Sequence, residues 1–105
     1  MSKTKNKEKI SYIFNHFGYK NQVLKINEES KELQEALIES YKEPTKQNIE
    51  HVAEEIADVM VVIQQFKQHF KLSDNKIKEL VDYKIQRTVD RLKSGYDKYQ
   101  HKEQM

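Results

Sequence analysis

Gly18, Pro44 and Gly95 are the only glycines and the only proline in this chain of 105 residues. A strand-rich fold turns often and draws its turns from glycine, proline and Asn-Gly pairs, so a chain this poor in them cannot build one. Stretches with apolar residues three and four apart fill the intervals instead. The expected fold is therefore all-α, an antiparallel four-helix bundle. A first helix is predicted from Lys7 to Phe17, with Ile10, Ile13, Phe14 and Phe17 on one face and Gly18 just past its end. A second runs from Asn21 to Tyr41 and stops ahead of Pro44, because proline pushes the residue before it out of the α region. Thr45 caps a third that reaches Phe70. Ser73 or Asp74 caps a fourth that ends at Ser94. The chain reads as one domain over residues 1–105, ordered from 7 to 95, with frayed tails at 1–6 and 97–105.

Charge and composition then narrow what such a bundle can do. Nineteen basic and 17 acidic side chains leave a formal charge of +2, too little for a dedicated nucleic-acid binder. The absence of cysteine removes disulfide scaffolds, thiolate metal sites and thiol nucleophiles. The opening MSKTKNKEKI has no apolar stretch of the kind a secretory leader needs, and the longest apolar run, Val59 to Ile63, is far too short to span a bilayer. A cytoplasmic protein with no membrane partner is expected. The third helix is apolar on two sides, with Val52, Ile56, Val59, Ile63, Phe66 and Phe70 on one and Ala53, Ala57, Met60 and Val61 on the other. Two apolar sides need two partners, so a homodimer or homotetramer is expected.

The most informative pattern is acidic. The second helix carries Glu28-Glu29-x-x-Glu32 followed by Leu33, and the third carries Glu54-Glu55-x-x-Asp58 followed by Val59. At about 100° per residue, Glu29 falls within the apolar arc centred on Leu33 and Glu32 at its edge, while Glu28 points outward. Glu55, Asp58 and Glu54 repeat that arrangement around Val59. Each helix thus turns an i, i+3 acid pair toward the interior. Burying carboxylates costs several kcal/mol apiece unless they are compensated, and four together repel one another. A divalent cation answers both problems, and an oxygen-only donor set selects hard ions such as Mg²⁺, with Mn²⁺ as a substitute. A magnesium site that keeps open positions recruits phosphates, so the implied ligand is a phosphorylated small molecule. Di-iron chemistry of the ferritin type needs Glu-x-x-His; Ile13, Asn48, Phe66 and Lys98 stand three before the histidines, so that motif is absent. His51 and His69 read as surface or helix-edge residues.

The two acidic motifs, with HFGYKNQVLKINEESKELQEAL from His16 to Leu37, EEIADVMVVIQQF from Glu54 to Phe66 and YKIQRTVDRLKSGY from Tyr83 to Tyr96, resemble the MazG-like all-α nucleoside triphosphate pyrophosphohydrolases of bacteria and phages. The resemblance covers residues 12–96. It implies Mg²⁺-dependent cleavage of a (deoxy)nucleoside triphosphate between its α and β phosphates, with Glu29, Glu32, Glu55 and Asp58 as metal ligands. The chain departs from many members in having Lys31 where they have glycine and in having no tryptophan for the nucleotide pocket. Of the four carboxylates, Glu29 or Glu32 is expected to orient or deprotonate the attacking water. Lys84, Arg87 and Arg91 form one basic stripe on the fourth helix, and Gln22 and Lys25 lie on the same edge of the second helix as Glu29 and Glu32. Gln22, Lys25, Lys84 and Arg87 are the expected substrate-binding residues. The resemblance makes Asn21 and Gln22 candidates for contact with base or sugar. Tyr12, Phe14, Phe17 and Tyr19 supply aromatic area for stacking or for packing. Two alternatives stay open: a non-catalytic helical interaction module that retains the acidic motif, and a nucleic-acid-binding accessory protein.

Overall fold

A computed structural model describes residues 3–95, and side chains from Asn6 onward. The described residues form four helices, α1 (Lys3–Phe17), α2 (Tyr19–Lys42), α3 (Lys46–His69) and α4 (Asp74–Lys93), and no strand. The protein is all-α. None of the described helices is long and apolar enough to cross a membrane. The chain divides into two compact units, one holding α1 to α3 and the other α4. Within the first, α2 packs chiefly on α3, and α1 rests on both.

Local chemistry accounts for the helix ends. Gly18 has φ 90° and ψ 160°, backbone territory that a side chain disfavours strongly. Its N–H donates to the Phe14 carbonyl at 2.8 Å and its carbonyl accepts from the Gln22 N–H at 3.1 Å. One residue thus closes α1 and opens α2, which is why α2 begins at Tyr19 rather than Asn21. At the far end, Glu43 is extended ahead of Pro44, as proline requires. The Thr45 hydroxyl oxygen accepts from the Asn48 N–H at 3.1 Å, and Asn48 Nδ2 donates back to the Glu43 carbonyl at 2.9 Å. Ser40 Oγ then donates to the Asn48 carbonyl at 3.0 Å, pinning the α2–α3 turn. Ser73 caps α4 by accepting from the Lys76 N–H at 3.0 Å. Helix α1 starts at Lys3, so residues 3–6 of the expected N-terminal tail are helical. Residues 1–2 and 97–105 lie outside the described residues.

An aromatic cluster fastens α1 to its neighbours. Phe14 meets Phe66 edge-on at 5.5 Å between ring centroids, Tyr19 meets Phe66 at 5.4 Å, and the His69 imidazole lies 4.9 Å from Phe14. Such edge contacts add to the area that aromatic rings bury. Gln68 Nε2 extends the attachment by donating to the Lys7 carbonyl at 3.0 Å and to Ser11 Oγ at 3.1 Å.

The inward face of α3 differs from the expected one. Val52, Glu55, Val59, Val62 and Phe66 are buried or half-buried, whereas Ile56, Ile63 and Phe70 are exposed. The expected stripe merged two faces, because a run apolar nearly all round gives periodicity little to choose between. The outward face carries Ile49, Ile56, Met60 and Ile63, all at least two-fifths exposed. The interior is unusual in another way. Among the described residues only Phe14, Ala36 and Val62 are buried hydrophobics, against four buried polar residues, Gln22, Glu29, Glu55 and Gln65.

Two substitutions check this account by urea denaturation. Phe14→Ala is expected to cost about 3 kcal/mol through loss of the central ring of the cluster, and Thr45→Ala about 1 kcal/mol through loss of the cap.

Candidate metal centre

Glu29 on α2 and Glu55 on α3 are the two buried acids of the first unit, 7% and 8% exposed. An i, i+3 step places Asp58 beside Glu55 on the same side of α3, and the same step places Glu32 beside Glu29 on α2. One carboxylate oxygen from each of Glu29, Glu55 and Asp58 lies within 4.8 Å of the other two, and the same holds for Glu28, Glu29 and Glu32. Glu29 belongs to both groups, so the four expected ligands gather around it. Glu28, expected to point outward, is exposed but reaches this rim by the length of its side chain.

Protein partners satisfy only part of this charge. Lys25 Nζ lies 3.2 Å from Glu29 Oε1 and 3.4 Å from Glu28 Oε1. His51 Nε2 stands 3.8 Å from Glu55 Oε1, an ion pair only when the imidazole is protonated. The other oxygens, Glu29 Oε2 and Glu55 Oε2, are buried without a hydrogen-bond partner. A buried charged oxygen left so costs more than an unmade neutral hydrogen bond. Two of them, one from each helix, in one oxygen-only cluster fit a hard divalent cation of the Mg²⁺ or Mn²⁺ type.

Mutual repulsion is visible at the rim. The charge of Glu29, followed by desolvation and the charges of Glu55 and Glu28, raises the pKa of Glu32 above the ordinary 4.5. The hydrogen bond to Glu29 raises that of Lys25 and holds it as an ammonium ion.

A cavity of about 320 Å³ opens from these carboxylates between the three helices of the first unit. Lys25, Glu29 and Asp58 line it together with Ile13, Phe17 and Asn21, and with Val61, Val62, Gln22 and Gln65. Gln22, expected on the same helix edge as Glu29 and Glu32, is 5% exposed, and its Nε2 donates to Gln65 Oε1 at 2.8 Å. Burial follows from its position one heptad before Glu29, on the same buried line of α2. Gln65 was not among the expected site residues. Its signal was available: it follows Asp58 by one heptad as Gln22 precedes Glu29 by one, and it interrupts an apolar run.

The remaining expected substrate-binding residues, Lys84 and Arg87, lie on α4 in the second unit. Lys84 is exposed. The Arg87 guanidinium sits 5.7 Å above the Tyr83 ring, and its Nε is buried without a hydrogen-bond partner.

The raised pKa of Glu32 has a consequence for metal-free protein. The folded state holds the Glu32 proton more tightly than the unfolded chain, so the contribution of Glu32 to stability is full below about pH 4.5 and is lost as pH rises through the raised value. In EDTA, Glu32→Gln is expected to melt above the unsubstituted protein at pH 7, with the difference shrinking toward pH 4. A variant that melts lower at pH 7 contradicts the repulsion. Compared with known proteins, the chain matches no family model, no curated protein and no solved structure, so the reading of this centre stands on its geometry and its motifs.

Proposed function

We propose that this protein is a Mg²⁺-dependent nucleotide pyrophosphohydrolase that cleaves a (deoxy)nucleoside triphosphate to the monophosphate and pyrophosphate. The observation that carries the reading is the pair of buried, unpartnered carboxylate oxygens, Glu29 Oε2 and Glu55 Oε2, in an acidic group whose Glu29 and Asp58 also line a cavity large enough for a small ligand. The resemblance of Glu28-Glu29-x-x-Glu32 and Glu54-Glu55-x-x-Asp58 to the MazG-like motif supplies the reaction. In this reading Glu29, Glu32, Glu55 and Asp58 hold the cation, with Mn²⁺ able to replace Mg²⁺. When bound, such an ion neutralises phosphate charge and lowers the pKa of water.

The chain's own residues do the rest. Glu29 is buried and its Oε1 is engaged by Lys25, whereas Glu32 is open to water. Glu32 is therefore the better placed of the two to take the proton of the attacking water at a carboxylate oxygen. The Lys25 ammonium adds positive charge beside the carboxylates that line the cavity. Positioning and charge stabilisation carry most of the rate in phosphoryl transfer, and carboxylates fixed on two packed helices provide the positioning.

The same reading includes the antiparallel order of the bundle and its assembly as a homodimer or homotetramer. The outward stripe of Ile49, Ile56, Met60 and Ile63 supports the second point, since exposed apolar rows of this length are the usual mark of an interface.

The test is pyrophosphate release from a panel of NTPs and dNTPs, with Mg²⁺ and then with EDTA. Pyrophosphate and monophosphate, lost on chelation, are the expected products. Glu55→Gln and Asp58→Ala are expected to abolish turnover while leaving helicity by circular dichroism unchanged. No product from any nucleotide, with no rise in Tm on adding Mg²⁺, would instead leave a non-catalytic interaction module.

A further inference from the structure

We propose that the outward face of α3 is an antiparallel seam with α3 of a second copy, closed at each end by Glu50 of one chain and Lys67 of the other. The inference rests on the reading of the protein as a homo-oligomer and adds the surface, the orientation and the register. Ile49, Ala53, Ile56, Met60 and Ile63 follow one another at alternating steps of four and three residues. That is the 3.5-residue repeat of a coiled-coil seam, narrower than the stripe with which a helix meets a globular core. All five are exposed, Met60 at 62%. Within the first unit α3 buries a different line, through Glu55, Val62 and Gln65. The outward row is thus a second apolar face of the same helix, and a second face needs a second partner.

A second copy fits because the seam complements itself. Antiparallel pairing about a two-fold axis beside Ala57 sets Ile56 of each chain against Met60 of the other, and Ala53 against Ile63, large against small. Ala57 lies on the flank of the seam, where it brings no bulk to hold the helices apart. The next step of the repeat is Lys67, whose stem extends the apolar row while its ammonium reaches the edge. Charge then selects the orientation. Glu50 is an exposed residue on the flank at one end of the row, and Lys67, half-buried, stands at the other end. Antiparallel pairing brings Glu50 of each chain beside Lys67 of its partner, twice per dimer. Parallel pairing instead sets Glu50 on Glu50 and Lys67 on Lys67, and like charges across an interface disfavour it.

The experiment is light scattering after gel filtration, without metal or nucleotide, joined to disulfide trapping in a chain that has no cysteine of its own. The unsubstituted protein is expected to run as a dimer or tetramer at micromolar concentration. Met60→Glu is expected to halve that mass and to leave helicity by circular dichroism unchanged, since the side chain it replaces is exposed. Glu50→Lys and Lys67→Glu are each expected to weaken association on dilution by about threefold or more, and the double exchange to restore it. Ile49→Cys/Lys67→Cys is expected to oxidise to a covalent dimer. Ile49→Cys alone is not, because its two copies stand about 27 Å apart in an antiparallel seam, beyond the reach of a disulfide. Covalent dimers from Ile49→Cys alone, or a double exchange no tighter than the single ones, overturn the inference. A mass unchanged by Met60→Glu overturns it too, and leaves the homo-oligomer standing on another face. A monomer in every preparation overturns both.

Discussion

Two carboxylate oxygens, Glu29 Oε2 and Glu55 Oε2, are buried between α2 and α3 with nothing to accept a hydrogen bond from. Removing a charged group from water costs several kcal/mol after relaxation, and here two such groups face one cluster with Asp58 at its edge. Lys25 offsets one oxygen of Glu29, and His51 approaches one of Glu55. Neither reaches the second oxygen. The charges of Glu29, Glu55 and Glu28 raise the pKa of Glu32 at the rim, and the proposed cation is what would offset them.

The rest of the first unit is arranged around that cost. With three buried hydrophobics against four buried polar residues among those described, apolar burial between α2 and α3 is thin. Stability must come from elsewhere. The Gly18 junction folds α1 back so that Phe14 can meet Phe66, Tyr19 and His69, and the Ser40–Asn48 and Thr45–Asn48 bonds fix the opposite end. Both ends of the α2–α3 pair are thus secured, and the polar line runs between them. The cavity lies where α1 closes over that line, which gives it apolar walls beside charged and amide groups.

Much of this was legible in the chain. Gly18 and Pro44 placed the first two loops, Thr45 and Ser73 announced their caps, and the doubled Glu-Glu-x-x-acid pattern singled out Glu29, which shares one acidic group with Glu55 and Asp58 and another with Glu28 and Glu32. What escaped had physical reasons. Ile56 and Ile63 share a stripe with Val59 in the sequence because α3 is apolar nearly all round, and only packing decides between its faces. Glu28 was placed by its Cβ direction, whereas its carboxylate travels along a long side chain to the rim. Gln22 and Gln65 carry no charge and match no metal motif, so the heptad spacing from Glu29 and Asp58 is the sequence signal they give, and their bond joins positions more than forty residues apart.

The proposed centre is one divalent-cation site enclosed by the carboxylates of α2 and α3. Crystals of the protein grown with Mn²⁺, examined by anomalous scattering, test it most directly. The expected result is a peak among Glu29, Glu32, Glu55 and Asp58, with Glu29 Oε2 and Glu55 Oε2 both coordinated. A map with no peak there, or with manganese only on exposed acids elsewhere, would contradict it.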